Sequence, residues 1–316
     1  MHTKNINKER SDSKMNKKLE ELLENMSDKE IELFLSASEQ DVELIKEINK
    51  QKISKHEVGK VINNLRNINP KKYKTKRINY TDKHIRIGWF TDAHMGHKNY
   101  RRDVLRDMAR YFKKTGVEFI VNAGDTIEGM SGREGHIYEL DRIGYSQQLK
   151  FFAEEMQVLD KWDVYSIEAQ DSHSGWYHNK ANMGVDIGEE MQKAAPNYKF
   201  LGYDEQDLVL DNGLKLRLRH PGGGTAYAIS YKIQKYVESI SGGNKPHILL
   251  EGHFHKYNQL FYRNIQCIDG GALQNQSDFM KKKGTPSHVG FGVMDIYHKK
   301  TKGIERFITE WIPYYD

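Results

Sequence analysis

The chain has 316 residues, of which 37% are hydrophobic and 29% charged, and its formal net charge is +5. This composition is typical of a globular protein with enough apolar material for one large domain and one small one. No run in the sequence approaches the ~18 consecutive apolar residues that a membrane span needs, so a membrane span is excluded. The single cysteine, Cys267, excludes an internal disulfide and a thiolate zinc site.

The start of the chain, MHTKNINKERSDSK, lacks the apolar centre of a secretory signal. Together with the lone cysteine, this predicts a reducing, cytoplasmic setting without membrane attachment. The chain contains 14 histidines. Any metal chemistry is therefore expected to use imidazole and carboxylate ligands.

The first part of the chain predicts a small helical bundle. Residues 1–14 are polar and are expected to be disordered. Three helix starts follow, each with a serine three positions before an acidic residue, at Ser27, Ser38 and Ser54. The bundle and the basic linker that ends it are expected to occupy residues 15–79.

Basic residues are concentrated in this first part. Residues 1–79 carry 18 Lys and Arg against 13 Asp and Glu, a surplus of 5, so the remainder is balanced. Pro70 and the run KKYKTKR at 71–77 predict the linker. A larger domain is expected over 80–316. The surplus favours an acidic partner for the small domain, and a solvated lysine-rich surface is the alternative.

From residue 84 onward the pattern predicts strands that alternate with helices. The predicted strands are 84–90, 117–123, 163–169, a hairpin of 207–210 and 214–220 joined by Asp211-Asn212-Gly213, 247–251, 291–298 and 305–312. The predicted helices are 100–112, 145–161, a segment near 183–194, and 226–240. This order predicts layered β-sheets flanked by helices.

Side chains suited to metal binding follow five of these strands. In chain order they are Asp92 and His94, Asp125, the segment EAQDSHSGW at 168–176, His220, and finally His253 and His255. Open α/β sheets place their sites beyond the carboxyl ends of strands. The last two histidines are two positions apart, so an extended chain directs both imidazoles to the same side.

This ordered set resembles the motifs of the calcineurin-like metallophosphoesterases, which are Asp-x-His, Gly-Asp, Gly-Asn-His, His and Gly-His-x-His. The resemblance covers about residues 84–300, and four of the five motifs match as written. It implies an α/β fold in which two β-sheets pack face to face with helices on both outer sides. It also implies a metal-dependent phosphoric ester hydrolase.

The resemblance implies two adjacent metal ions. The implied ligands are, for one ion, Asp92, His94, Asp125 and His255 and, for the other, Asp125, His220, His253 and a third-motif residue. Two cations about 3.5–4 Å apart hold a phosphate, lower the pKa of a shared water and stabilise an in-line displacement. Imidazole and carboxylate without thiolate suit Mn, Fe, Zn or Ni ions better than Ca²⁺ or Mg²⁺.

The third motif departs from the family pattern, and two alignments are open. In one, Asp171-Ser172-His173 takes the three places, so that His173 is the general acid and Ser172 replaces the asparagine. In the other alignment, Ala169-Gln170-Asp171 takes the three places. Gln170 then supplies an amide oxygen as a ligand, and the motif contains no histidine. The first is favoured because a histidine is a useful proton donor near neutral pH. A hydroxyl is a poorer ligand than an amide, so Gln170 and Asp171 remain candidate ligands of the second metal.

Two loops offer candidate substrate-binding residues. The segment PGGGTAY at 221–227 opens a predicted helix, and the backbone N–H groups of Gly223 and Gly224 are candidates to bind a phosphate, with a tight turn as the alternative. Trp176 is a candidate to stack a base, with packing as the alternative. Three other loop histidines are expected to lie on the surface: His97, His136 and His178.

Together these features predict a dimetal phosphodiesterase or nuclease that hydrolyses nucleic acid or nucleotides. A protein or small-molecule phosphomonoesterase is an alternative because nothing in residues 84–316 excludes it. A nucleic-acid-binding protein with little activity is another, because the third motif is altered.

Overall fold

The computed structural model describes residues 75–179 and 185–315. Most of the bundle and linker predicted for 15–79, and the disordered segment predicted for 1–14, lie outside these residues. The strands are β1 Lys76–Ile78, β2 His84–Phe90, β3 Phe119–Asn122, β4 Val164–Glu168, β5 Tyr198–Tyr203, β6 Glu205–Leu210, β7 Lys215–Arg219, β8 Ile248–Glu251, β9 Tyr257–Tyr262, β10 Ile265–Gly270, β11 Gly290–Lys299 and β12 Gly303–Pro313. The α-helices are α1 Arg102–Thr115, α2 Tyr145–Met156, α3 Trp176–Asn179, α4 Ile187–Ala194, α5 Tyr231–Ser239 and α6 Asp278–Lys283.

These strands form two six-stranded sheets within the described residues. The first has the strand order β1-β6-β7-β8-β10-β9, and the second has the order β12-β11-β2-β3-β4-β5. Strands β2 to β5 pair in parallel in the second sheet, and β7, β8 and β10 do so in the first. Parallel strands bring their carboxyl ends to one edge of a sheet, where loops can gather side chains.

The core between the sheets comes from the strand faces that meet. Ile87 and Val121 of the second sheet, and Leu216 and Leu250 of the first, are fully buried in one apolar cluster. Side chains alternate along a strand, so Leu249 next to Leu250 faces outward instead. The sheets therefore pack face to face.

Helices cover the outer faces of both sheets. On the second sheet, α1 buries Met108 and Phe112 in an outer apolar cluster. On the first sheet, Ile233 and Val237 of α5 pack with the outward-facing Leu249. The four-layer α/β fold predicted from the sequence is confirmed. No helix in residues 75–179 and 185–315 combines the length and the apolar character needed to cross a membrane.

The structure differs from the predicted elements at particular places. Strand β1 lies partly in the segment predicted as a linker and pairs in parallel with β6. The helix predicted for 226–240 begins only at Tyr231, because Tyr227 and Ile229 are exposed and no apolar surface lies against an earlier turn. Strands β5, β9 and β10 and helix α6 have no counterpart among the predicted elements. The β9–β10 hairpin turns at Arg263 and Asn264, both at positive φ, without the Asn-Gly or Asp-Gly pair that usually signals such a turn.

Replacing Phe112 by alanine is expected to lower the free energy of unfolding by about 3–5 kcal/mol, because the ring is fully buried and the cavity left behind cannot collapse. Urea unfolding of the full chain measures this. The control is Arg110→Ala on the same helix, whose side chain is 71% exposed; it should change the unfolding free energy by less than about 0.5 kcal/mol. Equal effects of the two substitutions would contradict the assigned packing of α1.

Candidate metal centre

The structure brings the predicted metal ligands together where the carboxyl ends of both sheets meet. Asp92 and His94 follow β2, and Asp125 follows β3, so the second sheet supplies three of them. The first sheet supplies the rest, with His220 directly after β7 and His253 and His255 after β8. Backbone hydrogen bonds tie the loops to each other, from His94 N–H to the Asp125 carbonyl at 3.0 Å and from Asp92 N–H to the Gly124 carbonyl at 3.1 Å.

Within the described residues, these side chains form groups that could each hold a metal ion. The groups are Asp92, His94 and His255; Asp125, His220 and His253; and His94, Glu128 and His173. Ligand atoms at about 2.1 Å from one ion lie about 3.0–3.4 Å from one another.

Three spacings in the first two groups fall in that range, and all the ligand atoms of each group lie within 4.8 Å of one another. The Nε2 atoms of His94 and His255 are 3.0 Å apart, and His255 Nε2 lies 3.4 Å from Asp92 Oδ1. In the second group, His220 Nε2 lies 3.0 Å from Asp125 Oδ2. The geometry therefore fits divalent metal binding.

Hydrogen bonds fix which nitrogen of each imidazole can bind a cation. A carbonyl oxygen only accepts, so His220 Nδ1 donates to the Ala123 carbonyl at 2.7 Å, which makes Nε2 the nitrogen that can bind a cation. Likewise, His94 Nδ1 donates to Glu128 at 2.7 Å. His253 Nε2 donates to the Gly223 carbonyl at 2.7 Å, which leaves Nδ1. His220 Nε2 is buried, and Asp125 Oδ2 at 3.0 Å is the polar atom that it approaches, as expected of two ligands of one metal.

Two glycines allow the strand ends to approach this closely. A Cβ atom at Gly252 would lie 2.7 Å from the Ala123 carbonyl oxygen and 2.9 Å from Asp92 Oδ2. A Cβ atom at Gly124, which has φ +101°, would lie 2.6 Å from His220 Nδ1. Only glycine fits at either position, so the glycines in the second and fifth motifs are required by packing.

The site also concentrates unfavourable backbone geometry. Nine non-glycine residues in the described ranges have positive φ, and six of them are predicted site residues: Asp92, His94, Asp125, His173, His253 and His255. Such conformations cost about 1–3 kcal/mol each and persist where the surrounding structure imposes them. Their clustering indicates that contacts within the fold, and not the intrinsic backbone preference of each residue, set the orientation of these side chains.

The buried charges of the site need added positive charge. Burial raises the pKa of Asp92 to about 7, and the nearby carboxylate of Asp125 also raises it, against the effect of His220. Burial raises the pKa of Asp125 as well, but His220 and His173 outweigh it and hold that pKa below its usual range. Burial lowers the pKa of His253 to about 4, so this imidazole is neutral and can act as a ligand. Divalent cations would let Asp92 ionise alongside Asp125.

The third motif lies beside the same carboxylate. The Ser172 hydroxyl donates to Asp125 Oδ1 at 3.4 Å, and His173 Nε2 is 3.7 Å from Asp125 Oδ2. The backbone N–H of Gln170 donates to Asp204 at 2.9 Å. Asp171 lines a neighbouring cavity and lies outside the metal-binding groups. Which of the two alignments describes the third motif stays a prediction.

Glu128 is a site residue that the sequence reasoning missed. It is buried and contacts three histidines: His94, His136 at 2.8 Å and His173 at 3.3 Å. Burial raises its pKa, but these histidines, His173 most strongly, outweigh that effect and hold the pKa well below the usual range. The sequence signal was a carboxylate three positions after Asp125 in an otherwise uncharged segment.

Two of the three histidines predicted to lie on the surface are buried. The prediction is wrong for His136, which is held by Glu128, and for His97, whose Nε2 lies 3.6 Å from Glu139. Both line the cavity above the metal centre, because the loop that follows β3 folds over the site. The side chain of His178 lies outside what the structure describes.

The candidate metal centre opens into a cavity of about 960 Å³. Gly223, Gly224 and Trp176, the predicted substrate-binding residues, all line it. Gly223 and Gly224 do not open a helix, since α5 begins at Tyr231, and Gly223 presents its carbonyl to His253. The helix start predicted at these glycines is therefore wrong, and phosphate binding by their backbone N–H groups stays a prediction. The Trp176 ring packs against His173 with 4.5 Å between ring centres.

The chain is similar to two kinds of known protein. A DNA polymerase II small subunit from Archaeoglobus fulgidus is 25% identical over 238 residues, covering 62% of this chain and 48% of that protein. One from Halobacterium salinarum is 21% identical over 235 residues, covering 63% and 46%. The chain thus spans about half the length of these relatives. Among solved structures, a novel archaeal phosphodiesterase has a TM-score of 0.42 at 11% identity, covering 72% of this chain and 100% of that one. No model of a known protein family matches the chain.

The resemblance to the calcineurin-like metallophosphoesterases is confirmed in the fold. The chain has the two packed, helix-flanked sheets that the resemblance implies. The four matching motifs end the strands that meet at one edge, where their side chains form groups suited to divalent metals.

The bound metals provide the first test of this site. Purified full-length protein is expected to carry about two transition-metal ions per chain, as in dimetal phosphatase sites. Asp125→Ala should lose both, because the Asp125 carboxylate contacts His220 of one group and the resemblance places it between the ions. Inductively coupled plasma mass spectrometry of gel-filtered protein measures the metal content.

The matched control for this measurement is Asp278→Ala, which removes a carboxylate that is 82% exposed. It should keep the metal content of the original chain. Circular dichroism of both variants shows that each is folded. Full occupancy in folded Asp125→Ala would rule out a dimetal centre built around that residue.

Proposed function

We propose that the chain is a dimetal-dependent phosphodiesterase that acts on nucleic acid or nucleotides. The observation that carries the proposal is the convergence, at the floor of one cavity, of two ligand groups with metal-like spacing and a histidine beside them. When bound, the two ions would hold the phosphate and lower the pKa of the attacking water. The ligand residues hold the ions through the nitrogens and carboxylate oxygens described above.

His173 supplies the proton that the leaving oxygen needs. Its Nδ1 donates to the Glu128 carbonyl oxygen at 3.1 Å, which leaves Nε2 on the side of Asp125. Burial lowers the pKa of His173, but Asp125 and then Glu128 outweigh that effect and raise it to about 9. With Nδ1 held by the carbonyl, Nε2 is the nitrogen placed to donate a proton to a leaving alkoxide.

Glu128 and Trp176 hold His173 in place. The carboxylate of Glu128 lies 3.3 Å from His173 Nδ1, and the same carboxylate orients His94 on the metal-binding side. The Trp176 ring packs against the His173 ring, with 4.5 Å between the ring centres. A proton donor fixed on two sides in this way is positioned for one substrate oxygen.

Two observations support a diester of nucleic acid or nucleotides over a phosphoprotein. The relatives reported above are small subunits of a DNA polymerase, which associates this type of sequence with DNA. In addition, the cavity wall carries Arg133 and Lys283, and cations next to a phosphate site suit a polyanionic substrate.

The substrate class can be tested with two chromogenic esters. With Mn²⁺ present, the protein should hydrolyse bis-p-nitrophenyl phosphate faster than p-nitrophenyl phosphate, and a chelator should abolish both rates, because the ions hold the phosphate. Release of p-nitrophenolate measures the rates. Preference for the monoester would support the phosphomonoesterase alternative, and no turnover of either would support a binding protein on this scaffold.

His173→Ala tests the general acid. Hydrolysis of thymidylyl-thymidine, whose leaving alkoxide needs a proton, should slow by about 10²–10⁴-fold. Hydrolysis of bis-p-nitrophenyl phosphate should slow far less, because p-nitrophenolate leaves without a proton, and both metals should stay bound. The control is His84→Ala at the opposite end of β2, whose side chain is 45% exposed. Equal slowing of both substrates, or loss of a metal, would show that His173 has another role.

A further inference from the structure

The cavity extends beyond the metal centre to a wall that the hydrolytic chemistry does not use. This wall is built by helix α6 and by the loop that follows β3, which contribute Phe279, Lys283 and Arg133. Ser277 caps the start of α6 by accepting a hydrogen bond from Met280 N–H, and Gly284 ends the helix in the left-handed conformation. The short helix is therefore held at both ends, and its side chains have fixed positions.

An aromatic ring and two cations lie together on this wall. Phe279 is 45% exposed although its residue type is usually buried. The Arg133 guanidinium carbon lies 5.1 Å from the centre of its ring, and Lys283 Nζ lies 5.9 Å from it. Arg133 is paired with Glu139 through both terminal nitrogens, at 3.1 and 2.7 Å. No carboxylate in the described residues pairs with Lys283.

This combination matches the chemistry of one class of ligand. Single-stranded nucleic acid is bound by aromatic side chains that stack on unpaired bases and by cations that contact the backbone. A base in a duplex is stacked on its neighbours, so its face cannot reach Phe279. A small phosphoester would occupy only the metal end of the cavity and would leave this wall without a ligand.

We propose that Phe279 and Lys283 form a subsite that binds the nucleotide next to the cleaved phosphodiester of a single-stranded polynucleotide. The inference rests on the proposed phosphodiesterase function and extends it from a reaction type to a substrate class. Phe279 stacks on the base, Lys283 contacts the adjoining phosphate, and the ion pair of Arg133 with Glu139 supports the ring from the neighbouring loop.

The test measures binding separately from turnover. The probe is a fluorescein-labelled phosphorothioate hexathymidylate, which keeps its charges and resists hydrolysis, and fluorescence anisotropy of the full chain gives its affinity at several salt concentrations. Phe279→Ala should weaken binding about tenfold, the size expected for one lost base stack. Lys283→Ala should reduce the slope of log affinity against log salt by about 0.7, the value for one phosphate contact to a single strand.

Two variants serve as matched controls. Lys282→Ala removes the same charge from the same helix but does not line the cavity, so it should keep the salt slope of the original chain. Phe279→Tyr keeps a stacking ring and should keep the affinity. Unchanged affinity in Phe279→Ala and an unchanged slope in Lys283→Ala would overturn the subsite, as would equal effects of Lys282→Ala and Lys283→Ala.

The proposed function is checked on the same preparation with methyl p-nitrophenyl phosphate, a diester too small to carry a second nucleotide. Turnover of this ester by the original chain, together with weakened hexathymidylate binding in the two variants, supports both the function and the subsite. Failure to turn it over would count against the phosphodiesterase, whereas the anisotropy results alone decide whether the subsite exists.

Discussion

The carboxylates of Asp92 and Asp125 are both buried at the ends of neighbouring parallel strands, and their repulsion must be offset by positive charge. An ion in the protein interior costs several kcal/mol in lost hydration unless it is paired or bound to a metal. The five histidines around these carboxylates do not all supply a charge, because burial keeps imidazoles such as His253 neutral. Hydrogen bonds to backbone carbonyls and to Glu128 instead fix their tautomers. Such an arrangement is stable when divalent cations complete it.

The two sheets make this arrangement possible. A loop alone would not hold six residues at positive φ in one place, since each would relax to a more favourable conformation. Here each strained residue follows a strand whose last four residues are buried, and the loops of the two sheets are joined by short hydrogen bonds. One such bond runs from the His253 backbone N–H to Asp92 Oδ1 at 2.8 Å. Packing between the sheets therefore determines the positions of the ligands.

Sequence periodicity was sufficient for the layered fold, and motifs at the strand ends were sufficient to select six candidate ligands that the fold brings together, because both depend on local patterns. Strands such as β2 and β8 are recognisable in the sequence as apolar runs. Polar residues follow each of them directly, namely Asp92 and His94 after β2 and His253 and His255 after β8. The parts that were not predicted depend on distant contacts. Glu128 is recognised only when three histidines from separate segments surround it. Helix α6 has six residues, too few for a helical period to be distinguished. The roles of the third-motif residues remain predictions, although the structure places Ser172 and His173 beside Asp125.

The far wall of the cavity is made by Arg133, Phe279 and Lys283, none of which is a predicted metal ligand. Arg133 lies in the loop that follows β3, and Phe279 and Lys283 lie on a helix between β10 and β11. Mutations there can accumulate without disturbing the buried carboxylates or the strained strand ends, because they leave the two sheets unchanged. If the proposed activity holds, related chains could diverge in substrate while keeping the same chemistry. A library confined to Arg133, Phe279 and Lys283 would vary selectivity and leave buried His136 and the helix cap Ser277 unchanged.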